Sequence, residues 1–436
     1  MRERAVRQRP TEFARPVPSG ERAMPTPHRR LATWYAAVIA IGAMICACVR
    51  LASTDQSDFR TYYYAAAAFE EGRNPYDVAS LRPRSGGKIT HGFVYPPHTL
   101  LLFRPLLRLG YAGAYWVYLG AKVVSLAMLV WLWYRFAPVA SSGIWALLVT
   151  ALLGHRQSVL LDIAAGNVSL FEQVLLWAGF LLLVRKKEVA GGASILLSST
   201  FKIVTAAFGP MVFLVGRSRR ALLTCLALTA GLCLCFAASC ALWPSLWREF
   251  ASAAMALDER ARLNPSALAL IRDIGERAGA ASSTVWLAYG LCCAAVAGLW
   301  LYAATLAWRI RDGRPMVYLA VLAYALIAPR MKDYSQIVTL LPTLHVIGAV
   351  MGGGPRSLLA CVILWVPLFQ GRLVFGVPVF QYQPLFVTLW VFVELVVWLA
   401  ARRGDRDATL GPLEDPLRGL SRMCAVCRAS GIRQAR

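Results

Sequence analysis

Ten apolar runs recur along the 436 residues, separated by turns and charges, at roughly 32–51, 111–134, 138–154, 167–184, 220–243, 283–308, 315–329, 334–351, 356–370 and 383–401. Runs of this length suit helices that cross a hydrocarbon core about 30 Å thick. Composition agrees: 58% of the residues are hydrophobic and 16% charged, against about 45–50% and 25% in soluble domains. The chain therefore reads as an all-α polytopic membrane protein built as one unit.

Basic clusters assign sides to the loops. A further apolar stretch lies between Arg185-Lys186-Lys187 and Arg217-Ser218-Arg219-Arg220. Positive clusters at both of its ends belong on the cytoplasmic side, so it reads as two short helices that go up and come back near Ser199-Thr200-Phe201-Lys202. Counting both halves gives about 12 spans with both termini inside. Arg309, Arg311, Arg314, Arg356 and the tail from Arg402-Arg403 then fall inside as well. The expected organisation is a disordered basic leader at 1–31, a multi-span domain at 32–401 with an uncleaved first span, its outer loop at 52–110, and a basic tail at 402–436.

The formal charge of +23 is spread over the tails and short inter-span clusters rather than one face, which argues against nucleic acid as a partner. Nine of the eleven cysteines lie in apolar runs, where thiols act as small hydrophobes. Cys424 and Cys427 form a lone C-x-x-C, half of a zinc site at best.

This topology gathers polar residues on the outer side, in 52–110, 155–166, the turn at Lys202, 244–282, 330–333 and 371–382. Asp58, Thr61, Tyr62, Ala65 and Phe69 fall on one face of an amphipathic helix. Gly72 and Asn74-Pro75 end it. A second segment, from Pro97 to about Leu109, sets Arg104 and Arg108 among leucines, as interfacial helices do.

Singly, these residues have plain explanations. Asp58 could be a helix N-cap, and Tyr62, Tyr63 and Tyr64 an interfacial belt. Asp162 and Asn167 stand where caps are common, and His155 with Arg156 at the outer end of a span. Arg330 and Lys332 could pair with Asp333, beside Tyr334. Lys202 is harder to dismiss, because a lysine between two apolar half-helices is costly unless it faces water or an anion. Together they place an acid, aromatic rings and several cations on one side of a membrane. Sugar transfer from a lipid phosphate needs such parts: a carboxylate to take the hydroxyl proton and cations to hold the leaving phosphate.

The run Asp58-Phe59, Tyr62-Tyr63, Ala65-Ala66, Gly72, Asn74-Pro75-Tyr76-Asp77, then Phe93-Val94-Tyr95-Pro96-Pro97, resembles the signature of glycosyltransferase family 87, the bacterial polyprenyl-phosphate-mannose-dependent mannosyltransferases. Gly166-Asn167, Phe201-Lys202 and Pro329-Arg330 through Tyr334, before Leu340-Leu341-Pro342, extend the similarity over roughly 32–400. The resemblance implies a C-type glycosyltransferase fold with interfacial helices in the first outer loop, sited in the bacterial plasma membrane and active on its extracytoplasmic side. It implies a lipid-linked sugar donor, a lipid or glycan hydroxyl acceptor and Asp58 as catalytic base. Lys202, Arg330 and Lys332 would hold the phosphate. Tyr62, Tyr63, Tyr95 and His98 would line the sugar and lipid groove, with His155, Arg156, Asn167, Asp333 and Tyr334 as further candidates. Many relatives carry a histidine near the turn before Leu-Leu-Pro; here Arg330, Lys332 and Asp333 stand instead. With enough cations no metal or other cofactor is expected. The rival reading is a transporter or flippase of an anionic lipid or solute, disfavoured by the lack of an evident internal repeat.

Overall fold

The computed structural model describes residues 55–139, 143–256, 264–351, 355–366 and 379–413. The leader, the expected first span at 32–51, and Cys424 with Cys427 lie outside the described residues. Within them every helix or strand element is helical, with one isolated bridge between Val139 and Leu413.

The order is α1 (Ser57–Glu70), α2 (Gly110–Phe136), α3 (Gly143–Ala165), α4 (Ser169–Val184), α5 (Glu188–Ser198), α6 (Met211–Gly216), α7 (Arg219–Leu242), α8 (Pro244–Met255), α9 (Ala267–Arg277), α10 (Ser282–Ala307), α11 (Arg314–Ile327), α12 (Ile337–Val350), α13 (Pro355–Trp365) and α14 (Gln383–Ala401). One-turn segments fill the region between α1 and α2. Among the described residues five helices are long and apolar enough to cross a membrane: those containing α2, α3, α7, α10 and α14. The others are shorter than the roughly 20 residues a full crossing needs. They pack against the long helices, as in α4, whose Leu170, Leu176, Trp177, Phe180 and Leu183 are all fully buried. In α7 and α10 most of the apolar surface points outward, as helices at the lipid boundary require.

The apolar stretch between the two basic clusters does fold as an up-and-down pair. α5 rises, the chain turns at 199–202, and a 3-10 segment (Ile203–Phe208) followed by α6 returns. Small residues let α4 and α5 meet closely. A Cβ on Gly191 would lie 3.0 Å from the Gly179 carbonyl oxygen and 2.7 Å from Leu183 Cδ2. Basic clusters converge at the far end of these helices. Arg217 Nη2 donates to Ala307 O (3.1 Å), Lys186 Nζ to Val215 O (3.1 Å) and Arg314 Nε to Phe136 O (2.7 Å). α4 carries the chain from Asn167 to Arg185, about 24 Å along its 16 residues. The basic clusters and the first-loop helix thus sit at opposite ends of the bundle.

Two expectations are corrected. The residues after the span at 138–154 are not irregular: α3, two helical stretches joined across a break, runs on to Ala165. It is interrupted at 154–157, where His155, Arg156 and Gln157 have φ of 43°, 59° and 65°. Consecutive left-handed residues other than glycine are strained, by about 1–2 kcal/mol each. His155 is therefore not interfacial: it is 1% exposed, and neither ring nitrogen meets a hydrogen-bond partner among the described residues. In α1, burial extends beyond the single expected face to Phe59, Tyr63 and Ala66. These rings join a second, aromatic core with Tyr76, Phe93, Phe103 and Tyr118. The first loop is thus a packed subdomain seated on the start of α2.

Gly191→Val should overpack the α4–α5 contact and destabilise the protein by about 1–3 kcal/mol. A lower midpoint of thermal unfolding in detergent would show it, and an unchanged midpoint would refute the close packing.

Candidate active site

Asp58 lies in the first turn of α1, but it is not the N-cap, which is Gln56. Its carboxylate looks across to the α3–α4 connection. Gly166 makes that approach possible: with φ +70°, a Cβ there would lie 2.8 Å from Phe59 Cβ and 2.9 Å from Gln56 Cβ. Gln56 N also donates to Ala164 O at 3.1 Å, pinning the start of α1 to the end of α3.

Asn167 follows directly. Its Oδ1 accepts from Ser169 N (3.1 Å) and Ser169 Oγ (2.9 Å). That turns Nδ2 toward Asp58 Oδ2 (2.6 Å), Tyr62 OH (3.0 Å) and Tyr95 OH (3.0 Å). An amide oxygen cannot donate, so the accepted bonds fix which end of the group faces Asp58. The N-cap of α4 is Val168; Asn167, one residue earlier, still accepts from Ser169 N as a cap would, and its amide nitrogen reaches Asp58 as well. Tyr62 OH donates to Tyr95 OH (3.1 Å), and Tyr76 OH to Tyr95 O (2.8 Å).

Ser169 links this network to a cation. Lys202 Nζ donates to Ser169 Oγ (2.5 Å) and Ser335 Oγ (3.4 Å), and pairs with Glu172 at 3.0 Å. The Tyr334 ring lies 5.4 Å from Lys202 Nζ and 5.5 Å from Lys332 Nζ, within cation–π range. Polar contacts therefore run without a break from Asp58 through Asn167 and Ser169 to Lys202 and Glu172. Asp58 and Lys202 thus sit at one end of the bundle.

Beside this chain lies a cavity of about 220 Å³. Tyr95, Glu172, Lys202, Arg330, Lys332 and Tyr334 form its polar wall, three cations against one carboxylate. Apolar groups including Phe201, Phe208 and Phe250 form the rest. Asp58 adjoins the cavity through Tyr95 and Asn167 rather than lining it. Burial tends to raise the Asp58 carboxyl. Hydrogen bonds from His91 and Asn167, and the charges of His91 and Lys332, outweigh that and hold it below the usual carboxylate value. It is ionised at neutral pH. Burial drives the Tyr62 and Tyr95 hydroxyls the other way, upward, with Asp58 adding to the effect, so both remain protonated donors.

Other sequence candidates fall elsewhere. The Tyr63 ring turns from Asp58 into a separate surface groove with Tyr64, Glu70, Arg84 and Tyr111. The reason is helical geometry, since successive residues point about 100° apart. His98 packs edge-on against Phe236, with centroids 5.2 Å apart, and is not in the cavity wall. Arg156 Nη2 donates to Asp333 Oδ1 at 2.5 Å, a contact that ties the break in α3 to the turn bearing Arg330 and Lys332.

Sequence reading missed His91, Glu172 and Lys122. Lys122 forms an ion pair with Asp162, both fully buried. Asp162 is thus a buried counter-ion rather than a cap, and its carbonyl accepts from Asn167 N (3.0 Å). Glu172 and Lys122 did carry a signal, as ionisable residues inside apolar runs. His91, in a polar loop, carried none. Among the described residues no three His, Cys, Asp or Glu side chains form a metal-binding group.

Removing one partner of a buried pair costs about 3–5 kcal/mol, while replacing both with apolar residues is nearly neutral. Lys122→Met should therefore lower the unfolding midpoint sharply, and Lys122→Met with Asp162→Leu should recover most of it. Equal losses in the two variants would mean that the pair is not coupled.

A search of the curated proteins finds no match. Residues 93–331, more than half of the chain, match the sequence profile of Glycosyltransferase family 87. The matched segment includes Asn167, Glu172, Lys202 and Arg330, while Asp58 and Lys332 lie outside it. This helical membrane protein belongs to glycosyltransferase family 87.

Proposed function

We propose that the chain transfers a hexose, mannose foremost, from a polyprenyl-phosphate donor to a hydroxyl of a lipid or glycan acceptor. The reaction takes place at the extracytoplasmic face of the bacterial plasma membrane. The observation that carries this reading is the unbroken polar chain from Asp58 to Lys202 beside a cavity with cations on one wall and apolar groups on the other. Basic clusters at the opposite end of the bundle favour a cytoplasmic position for that end, which leaves the cavity on the outer side.

The roles follow from the chemistry. Asp58 takes the proton of the acceptor hydroxyl as its oxygen attacks the sugar C1. A single displacement inverts the anomeric centre, and the C1–O bond electrons leave with the phosphate. Lys202, Arg330 and Lys332 receive that growing charge in a site partly shielded from water, where fixed cations act most strongly. They do what a divalent ion does in other transferases, so the reading includes metal independence. Glu172 holds Lys202 in place and tempers its charge, letting product phosphate depart. Tyr95, whose hydroxyl accepts from Tyr62, presents its own O–H toward the sugar, and the apolar wall with Phe201, Phe208 and Phe250 suits the first prenyl units. Transport of an anionic lipid, the rival reading, fits less well: the polar groups gather at one end rather than at the midplane, and the family is one of transferases.

Transfer is tested with purified protein in detergent, where no compartments exist, using a panel of synthetic lipid-phosphate sugars. Label should pass to a lipid acceptor. Asp58→Asn should lower kcat by about 10²–10⁴-fold while donor binding persists, and Lys202→Met by about 10²–10³-fold. Near-wild-type transfer by Asp58→Asn would remove the mechanism, and no transfer from any lipid phosphate would remove the donor class.

A further inference from the structure

The proton that Asp58 accepts must leave before the next turnover, and among the described residues His91 is an ionisable side chain that both touches the carboxylate and reaches water. His91 Nε2 lies 3.2 Å from Asp58 Oδ1. The His91 side chain is 42% exposed, whereas that of Asp58 is 15% exposed. Asn167, which holds the other carboxylate oxygen, is buried, and an amide cannot carry a proton away at neutral pH. The second His91 nitrogen, Nδ1, is 3.3 Å from Thr90 Oγ1 at the exposed edge of the loop. Thr61 Oγ1, itself donating to Ser57 O, lies 3.4 Å from Nε2 and steadies the ring. The charged groups that act on the carboxyl are His91, from the loop before Phe93, and Lys332, from the turn after α11.

We infer that His91 is the proton exit of the transfer reaction: it receives from Asp58 the proton taken from the acceptor hydroxyl and releases it to water. The inference rests on the proposed transfer with Asp58 as base. In balance, the acceptor O–H bond breaks and its electron pair forms the new bond to C1. The C1–O bond to phosphate breaks, and its pair leaves with the phosphate. The proton passes from the hydroxyl to the Asp58 carboxyl, then to Nε2 of neutral His91 in the tautomer that carries its hydrogen on Nδ1. In the resulting ion pair the imidazolium Nε2–H donates to the Asp58 carboxylate; water at the exposed ring edge takes the Nδ1 proton, and proton exchange with water returns the ring to the Nδ1–H tautomer before the next transfer. His91 acts through Asp58 and is a positioning and relay residue rather than a group that touches substrate. Asp58, held in its ionised form, is a weak base on its own, and a second acceptor behind it draws the proton onward.

The test compares full-length wild type, His91→Gln and Asp58→Asn in detergent, with a polyprenyl-phosphate sugar and a lipid acceptor, across pH 5 to 9. Glutamine keeps an N–H donor for Asp58 but cannot relay a proton. A relay requires that His91→Gln lower kcat about 10- to 100-fold with both KM values unchanged. The pH profile of the rate should also differ from that of the wild type, because the step served by the imidazole is gone. Added imidazole should restore His91→Ala. Wild-type kcat and pH profile in His91→Gln, with Asp58→Asn inactive, would overturn the relay and leave the base standing. Activity in Asp58→Asn would overturn both.

Discussion

The carboxamide of Asn167 is anchored on its oxygen side by the first turn of α4 and aimed on its nitrogen side at Asp58. Each half depends on the other, because an amide has one accepting end and one donating end. Gly166 allows the approach by leaving no side chain where Phe59 and Gln56 already lie. Once that contact is made, the first-loop subdomain is locked to the bundle, and Asp58 is placed within a few bonds of Lys202. Disturbing this amide would move the acid relative to the cations while leaving the long helices intact.

Charge is admitted to the bundle in pairs. Lys122 meets Asp162, Lys202 meets Glu172, and Arg156 meets Asp333. An uncompensated charge at such depth costs several kcal/mol, and a partner with good geometry offsets much of it. The pairs also serve geometry. Lys122–Asp162 stands behind the connection that carries Asn167, and Arg156–Asp333 ties the break in α3 to the turn that carries Arg330 and Lys332. What distinguishes the cavity is the excess of cations over carboxylates at its wall, which suits a phosphate.

Much of the helical scaffold was legible from periodicity and charge. The paired short helices between Arg185 and Arg220 followed from two basic clusters that had to share a side, and they are there. So is the gathering of Asp58, Asn167, Lys202 and Lys332 at one end, because alternating spans leave their connections little choice. Legibility failed where local pattern and tertiary contact diverge. A break inside a helix, as at 154–157, leaves the apolar pattern nearly unchanged, so His155 was expected at the surface rather than in the interior. The neighbours Tyr62 and Tyr63 look alike in a sequence, yet one faces Asp58 and the other a separate groove. His91 joins the site by folding back from a polar loop that has no periodicity to read.

The sequence by itself determined that the chain is helical and membrane-embedded, that its stretch between two basic clusters doubles back, and that an acid and several cations share one end. These are properties of composition and spacing, and lipid enforces them on any chain of this pattern. Only the tertiary structure decided which charges cancel, which tyrosines turn inward and which side chains touch the acid. Those outcomes depend on contacts of a few ångströms between segments tens to hundreds of residues apart, and no local periodicity encodes them.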